Sequence, residues 1–245
     1  DAPRATVVPT ALLPEEEKHV ALAQVAKQAE RYDDMLEHMQ SRIALGGAMS
    51  AQERDLLSEA LKGSMQGRRS AVLLAASAEE ENSAAGLASH AALAAAYREK
   101  VRSELEVIHR QAVALIQANL LPTAEEGEPA AFFLKLLGDL WRYWAEVADD
   151  ATREYAVEQA GAAYAKALQE AQKHLLAAHP VRLGLQLNFS VFQHEVLQDK
   201  PAAIATASAA YEAAIVDVDH LPEETYRDAS VSLERLRGNL EAWSD

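Results

Sequence analysis

The 245-residue chain is 49% apolar but only 6% aromatic, with 10 Gly and 8 Pro, so Ala and Leu supply most of its hydrophobicity and long helices are favoured over sheet. That length can bury a large core without disulfide or metal staples. Lys and Arg number 23 against 38 Asp and Glu, a net charge of −15 that disfavours nucleic acid and anionic membrane as main partners, so an anion site would have to be local.

With no Cys there is neither a disulfide framework nor a thiol nucleophile. No stretch near Asp1 has the build of a signal peptide and no run reaches the length of a membrane span, so a cytoplasmic protein is expected. Residues 1–13 read as a flexible extension, and 14–245 as one all-α domain of about nine antiparallel helices.

The first helix is expected from Pro14, where Glu15, Glu16 and Glu17 complement the macrodipole, to about Glu30. A second runs from Tyr32 to the Gly46-Gly47 stop. Ser50-Ala51-Gln52-Glu53 is a capping box that opens a third through Lys62 and Arg69. The acidic, polar stretch Ser77 to Ser83 reads as a loop or a frayed junction. Beyond it a long helix covers about Ser89 to Leu120, a fifth Pro129 to Val147, and a sixth Asp150 to Ala178, where His179-Pro180 forces a break. Three more follow at Val181–Leu197, Pro201–Val218 and Pro222–Trp243. A helix-turn-helix rhythm over Ala162–Ile215 resembles the tetratricopeptide pattern about once, too little for a solenoid.

Lys62 and Arg69 are seven apart and share a helix face, within reach of one anion. Arg142 and Tyr143 sit in Leu140-Trp141-Arg142-Tyr143-Trp144, where an arginine among large apolar residues is either paired, as with Glu146, or waiting for a ligand. Asn188, Val191 and Glu195 fall on one stripe beside Leu187. Arg235, Asn239 and Trp243 fall on another beside Leu236. An Asn carries a donor and an acceptor and can pair with the peptide group of an extended ligand, although a satisfied structural Asn fits each stripe as well. The eight His are scattered without metal-ligand spacing, and no phosphate-binding Gly loop, nucleophile elbow or zincin motif occurs. Nothing in the motifs points to an enzyme.

Glu30-Arg31-Tyr32-Asp33-Asp34-Met35, Tyr97-Arg98-Glu99-Lys100, Gly138-Asp139 with Arg142-Tyr143 and Ala145-Glu146-Val147-Ala148, and the run from Arg182 to Phe192 together resemble the 14-3-3 family, in register from about Glu15 to Trp243. The resemblance implies a cup-shaped dimer with one amphipathic groove per subunit. It implies a non-enzymatic signalling adaptor, without cofactor or metal, that binds phosphoserine or phosphothreonine segments of client proteins as a homodimer or heterodimer. The family's phosphate cluster falls on Lys62, Arg69, Arg142 and Tyr143. Its peptide-orienting Asn pair falls on Asn188 and Asn239, with Lys135, Glu195 and Trp243 in the groove and Leu187, Val191, Val231 and Leu236 as apolar wall.

Dimer positions fall on Val25, Arg31, Asp34, Ala71, Tyr97, Lys100 and Glu104, with Arg31–Glu104 and Asp34–Lys100 as charge pairs between subunits. The chain departs from the family pattern at four positions. Lys18 stands where an acid is common, and Ala71 where some members carry a phosphorylatable Ser. Ser232 and Arg235 stand where the wall is usually aliphatic, which implies weaker binding of peptides with apolar flanks or a preference for acidic ones. The rival reading is a divergent scaffold of the same fold that binds unphosphorylated peptides. The intact Lys62, Arg69, Arg142 and Tyr143 set argues against it.

Overall fold

A computed structural model describes residues 13–218 and 221–244. Among them are nine α-helices and no strand: α1 (Glu15–Gln28), α2 (Tyr32–Ala44), α3 (Ala51–Ala84), α4 (Ala88–Leu115), α5 (Glu128–Ala145), α6 (Asp150–His174), α7 (Pro180–Val191), α8 (Lys200–Asp217) and α9 (Glu223–Ser244). The fold is all-α, as the composition required. π-Helical turns extend α4 over Ile116–Leu120 and α7 over Phe192–Val196. The helices divide into two compact units, one up to Gly67 and one from Arg68 onward, with the boundary inside α3.

In the first unit α1 packs on α2, and Ala23, Met35 and Met39 lose all exposure to water. Each fully buried Met contributes about 1.5–3 kcal/mol. The helices can fold back on each other because Glu30 takes a left-handed conformation (φ 55°) and Arg31 N–H donates to the Ala26 carbonyl at 2.9 Å. The capping box forms as read. Ser50 N–H donates to Glu53 Oε2 at 2.7 Å, and Glu53 N–H donates to Ser50 Oγ at 3.2 Å. Buried Arg42 at the end of α2 donates to Glu53 Oε1 at 2.5 Å, so one carboxylate caps α3 and neutralises a core cation. A Cβ at Gly63 would fall inside the Tyr32 ring, so only glycine lets that ring lie against α3.

In the second unit α5 and α6 pack along much of their length. Ala156, Ala160, Ala163, Ala167 and Ala171 form a buried stripe on α6, where methyl-sized side chains let the two axes approach closely. A second cluster joins α7, α8 and α9 through Leu183, Leu187, Ala203, Ala207, Leu233, Leu236 and Trp243.

Two expected boundaries were wrong. Ser77–Ser83 is helical, because Ser77 Oγ donates to Glu81, Asn82 Nδ2 donates to the Ala78 carbonyl, and Glu79 pairs with Arg98 at 3.1 Å. The polar residues support the last turns of α3, and the stop comes at Gly86 (φ 74°). α6 ends at His174 and not at Ala178. Leu175 is extended there, and its carbonyl accepts from Arg182 Nη1 at 2.8 Å, a cap supplied by α7.

Candidate functional site

Arg69, Lys135, Arg142, Tyr143, Leu187, Asn188, Val191, Glu195, Val231, Arg235, Leu236, Asn239 and Trp243 all belong to the second unit, and Lys62 stands half-buried on α3 in the first. α5 is apolar around its basic residues, so Arg142 and Tyr143 are set into a buried surface and lose freedom. The Arg142 side chain is 12% exposed and that of Arg69 14%. Both guanidinium carbons lie over the Tyr143 ring, at 4.6 Å and 4.1 Å, where the aromatic face favours cations. Glu146, one turn after Arg142, accepts from Arg142 Nη1 at 3.1 Å through Oε1 and from Arg69 Nη2 through Oε2. The Arg142–Glu146 pair considered from sequence is therefore present, and it brings Arg69 with it.

Burial alone would lower the Arg142 pKa, but the field of Tyr164, Asp139 and Tyr143 raises it above the ordinary arginine value. Burial pushes the Tyr143 phenol up to about 12, against the pull of the two arginines, so its hydroxyl stays protonated and able to donate. Two fixed cations that share a single carboxylate beside a protonated phenol form a place where a multiply charged oxyanion is favoured.

Deeper in α5, Asp139 has no exposure to water. Its Oδ1 accepts from Tyr164 hydroxyl and from Asn188 Nδ2, each at 2.7 Å, and its Oδ2 accepts from Lys135 Nζ at 3.0 Å. Thus Lys135 and Asn188 are brought together. Leu187 is buried and Val191 packs against the same cluster. Glu195 lies in the π-turn, its Oε1 2.7 Å from His194 Nδ1, and the His194 ring stacks on Trp243 with centroids 4.6 Å apart. On α9, Leu236 is fully buried, Asn239 and Ser232 are half-buried, and Val231 is 48% exposed. Arg235 is exposed and makes no ion pair with a described residue.

Sequence reasoning missed Glu146 as a shared partner and gave no role to Asp139 or Tyr164. The one available signal was an acid four residues after Lys135 in an otherwise apolar helix.

The dimer candidates are distributed over both units. Val25 on α1 is 60% exposed and Tyr97 on α4 is 55% exposed, both large for water-facing positions. Arg31 pairs within its own unit with Asp34 at 2.5 and 2.8 Å. Lys100 and Glu104 are exposed, Arg68 lies 3.8 Å from Glu104, and Ala71 is half-buried. No group of three potential metal ligands occurs among the described residues, and no described helix is long and apolar enough to cross a membrane.

An all-helical chain with a recessed cationic cluster next to a mixed polar and apolar stripe has the build of a peptide-binding adaptor. Residues 22–244 match a family profile described as "14-3-3 protein". Over 225 residues the chain is 36% identical to "14-3-3 protein 3" of Entamoeba histolytica, covering 92% of this chain and 94% of that protein. It is 39% identical to "14-3-3 protein beta/alpha-1" of Oncorhynchus mykiss over 92% of this chain and 91% of the relative. Similarity to "Checkpoint signal transducer rad24" of Schizosaccharomyces pombe is 36% over 93% and 84%. The chain belongs to the 14-3-3 family, a family of signalling adaptors.

Proposed function

We propose that the protein binds client proteins at phosphoserine or phosphothreonine and acts without catalysis. The observation that carries this reading is the convergence of Arg69 and Arg142 on Tyr143 and Glu146. A phosphate near pH 7 carries close to two negative charges and several strong acceptor oxygens. Two guanidiniums and a phenol can meet it with charge-assisted hydrogen bonds of about 1.5–3 kcal/mol each. Lys62, seven residues before Arg69, is the remaining cation of the cluster on the family pattern.

The peptide on either side of the phosphate would run along Lys135, Leu187, Asn188, Val191 and Glu195 and along the α9 residues Val231, Arg235, Leu236, Asn239 and Trp243. Dimerisation through Val25, Arg31, Asp34, Ala71, Tyr97, Lys100 and Glu104, and cytoplasmic residence, belong to the same reading. The exposure of Val25 and Tyr97 supports the interface.

The test is a fluorescence-anisotropy titration of a phosphoserine peptide carrying an upstream Arg against its unphosphorylated twin. A preference of about a hundredfold is expected. Arg69→Ala or Arg142→Ala should each weaken the phosphopeptide roughly 10- to 100-fold, one to two steps of about 1.4 kcal/mol. Equal affinity for the twins would refute phosphate reading and leave an adaptor for unmodified segments.

A further inference from the structure

Asp139 is the only completely buried carboxylate among the described residues. A buried charge is destabilising unless donors surround it, and an apolar residue at this place in α5 would pack without that demand. The surroundings are built for it. A Cβ at Gly138 would stand 2.7 Å from Tyr164 Cδ1, so only glycine there lets the Tyr164 ring pass and present its hydroxyl to Oδ1. Across the gap on α7, a Cβ at Gly184 would meet the Lys135 Cε at 3.6 Å, so the lysine stem lies close over that glycine as it reaches Oδ2. The third donor is Asn188 Nδ2.

A carboxylate in this setting can only accept, so the end of the Asn188 amide that faces it has to be the NH2. That choice removes the usual ambiguity of an amide side chain. With the NH2 committed to Asp139, the carbonyl oxygen of Asn188 is directed away from it, and one N–H is left over. An extended peptide alternates N–H and C=O along each edge, so an amide turned by 180° would set donor against donor.

We infer that Asp139 is a positioning residue of the peptide site, fixing the orientation of the Asn188 amide and anchoring Lys135, so that Asn188 offers an acceptor to a main-chain N–H of the bound segment. This rests on the phosphopeptide reading above and assigns the recognition of the backbone beside the phosphate to a buried carboxylate that does not itself touch the ligand. Tyr164 supports Asp139 from α6 through its hydroxyl.

The test uses the full chain and its Asp139→Asn, Asn188→Ala, Tyr164→Phe and doubly substituted forms, titrated with the phosphoserine peptide and its unphosphorylated twin. Asp139→Asn keeps the shape but lets the Asn188 amide turn over, and is expected to weaken the phosphopeptide about tenfold, as is Asn188→Ala. The double variant should bind no worse than Asn188→Ala alone, because both changes remove one interaction. Tyr164→Phe, which deletes only the hydroxyl, should weaken binding about threefold and add nothing in the Asn188→Ala background. Losses that multiply, or Asp139→Asn affinity within twofold of the parent, would overturn the inference.

If Asp139→Asn does not fold, the Tyr164→Phe pair decides by the same rule. The ligand-free protein gives an independent readout. The Asn188 side-chain amide protons should be sharp and protected from exchange in the parent and broadened or averaged in Tyr164→Phe or Asp139→Asn, and an unchanged pair would overturn the proposal without any peptide. Failure of the phosphate reading would look different, with the parent binding both twins alike.

Discussion

The same chemical change, a methyl added to a helical glycine, should act with opposite sign at Gly138 and Gly238. At Gly238 on α9 a new Cβ meets nothing within 4 Å, so Gly238→Ala gains the helix propensity difference of about 1 kcal/mol with no steric penalty. At Gly138 the methyl would lie 2.7, 2.8 and 3.0 Å from three carbons of the Tyr164 ring. That ring is fully buried and hemmed in by Phe192 and Phe189, with centroids at 5.5 and 5.9 Å.

Overpacking of this kind costs about 1–3 kcal/mol. If Tyr164 retreats, its charge-assisted bond to Asp139 loses about 1.5–3 kcal/mol more. Set against the propensity gain, Gly138→Ala should lose roughly 2–4 kcal/mol. For a chain of this size each kcal/mol moves Tm by about 2–4 °C, so thermal melts should separate the two variants clearly, Gly238→Ala above the parent and Gly138→Ala well below it. A Gly138→Ala protein melting at or above the parent would mean that Tyr164 does not occupy the space next to α5, and the Asp139 arrangement would fall with it.

Two other outcomes are expected. Burial pushes the His109 imidazole, packed against Trp141 and Trp144, down to about 4. The unfolded chain protonates near the ordinary 6.5 while the native one stays neutral, so stability is intact above pH 6.5 and falls as pH drops toward 4, by roughly 3 kcal/mol in all. His109→Phe should flatten that limb in pH-dependent denaturant melts, and an unchanged slope would assign it to other groups. Arg235→Leu should shift phosphopeptide preference from acidic to apolar flanking residues on a peptide array. An unaltered profile would remove Arg235 from peptide contact.

Helix number and most boundaries were legible because local chemistry determined them. Prolines open α5, α7 and α8, Ser50 and Glu53 cap α3, and glycines 46 and 47 follow α2. The Ser77–Ser83 error has the same origin. Ser77, Asn82 and Ser83 do favour turns in isolation, and what overrides them is the hydrogen bonding of Ser77 to Glu81 and of Asn82 to the Ala78 carbonyl within the helix, with the Glu79–Arg98 ion pair to α4. In the site, Arg142 and Glu146 were readable because they are one turn apart. The Asp139 arrangement was not, since Tyr164 and Asn188 reach it from α6 and α7 and no spacing along the chain connects them.

Glu146 has a further consequence for selectivity. The trio it forms with Arg69 and Arg142 carries one net positive charge, two guanidiniums less one carboxylate, before any ligand arrives. On the proposed reading an incoming group has to outcompete a carboxylate that is already in place and needs no ordering. An acidic side chain from a passing protein offers the arginines no more than they hold, whereas a doubly charged phosphate offers more charge and more acceptor oxygens. The resident acid thus acts as a threshold, keeping the arginines from being occupied by the commonest anions in their surroundings, among them the 38 Asp and Glu residues of a neighbouring copy of this chain.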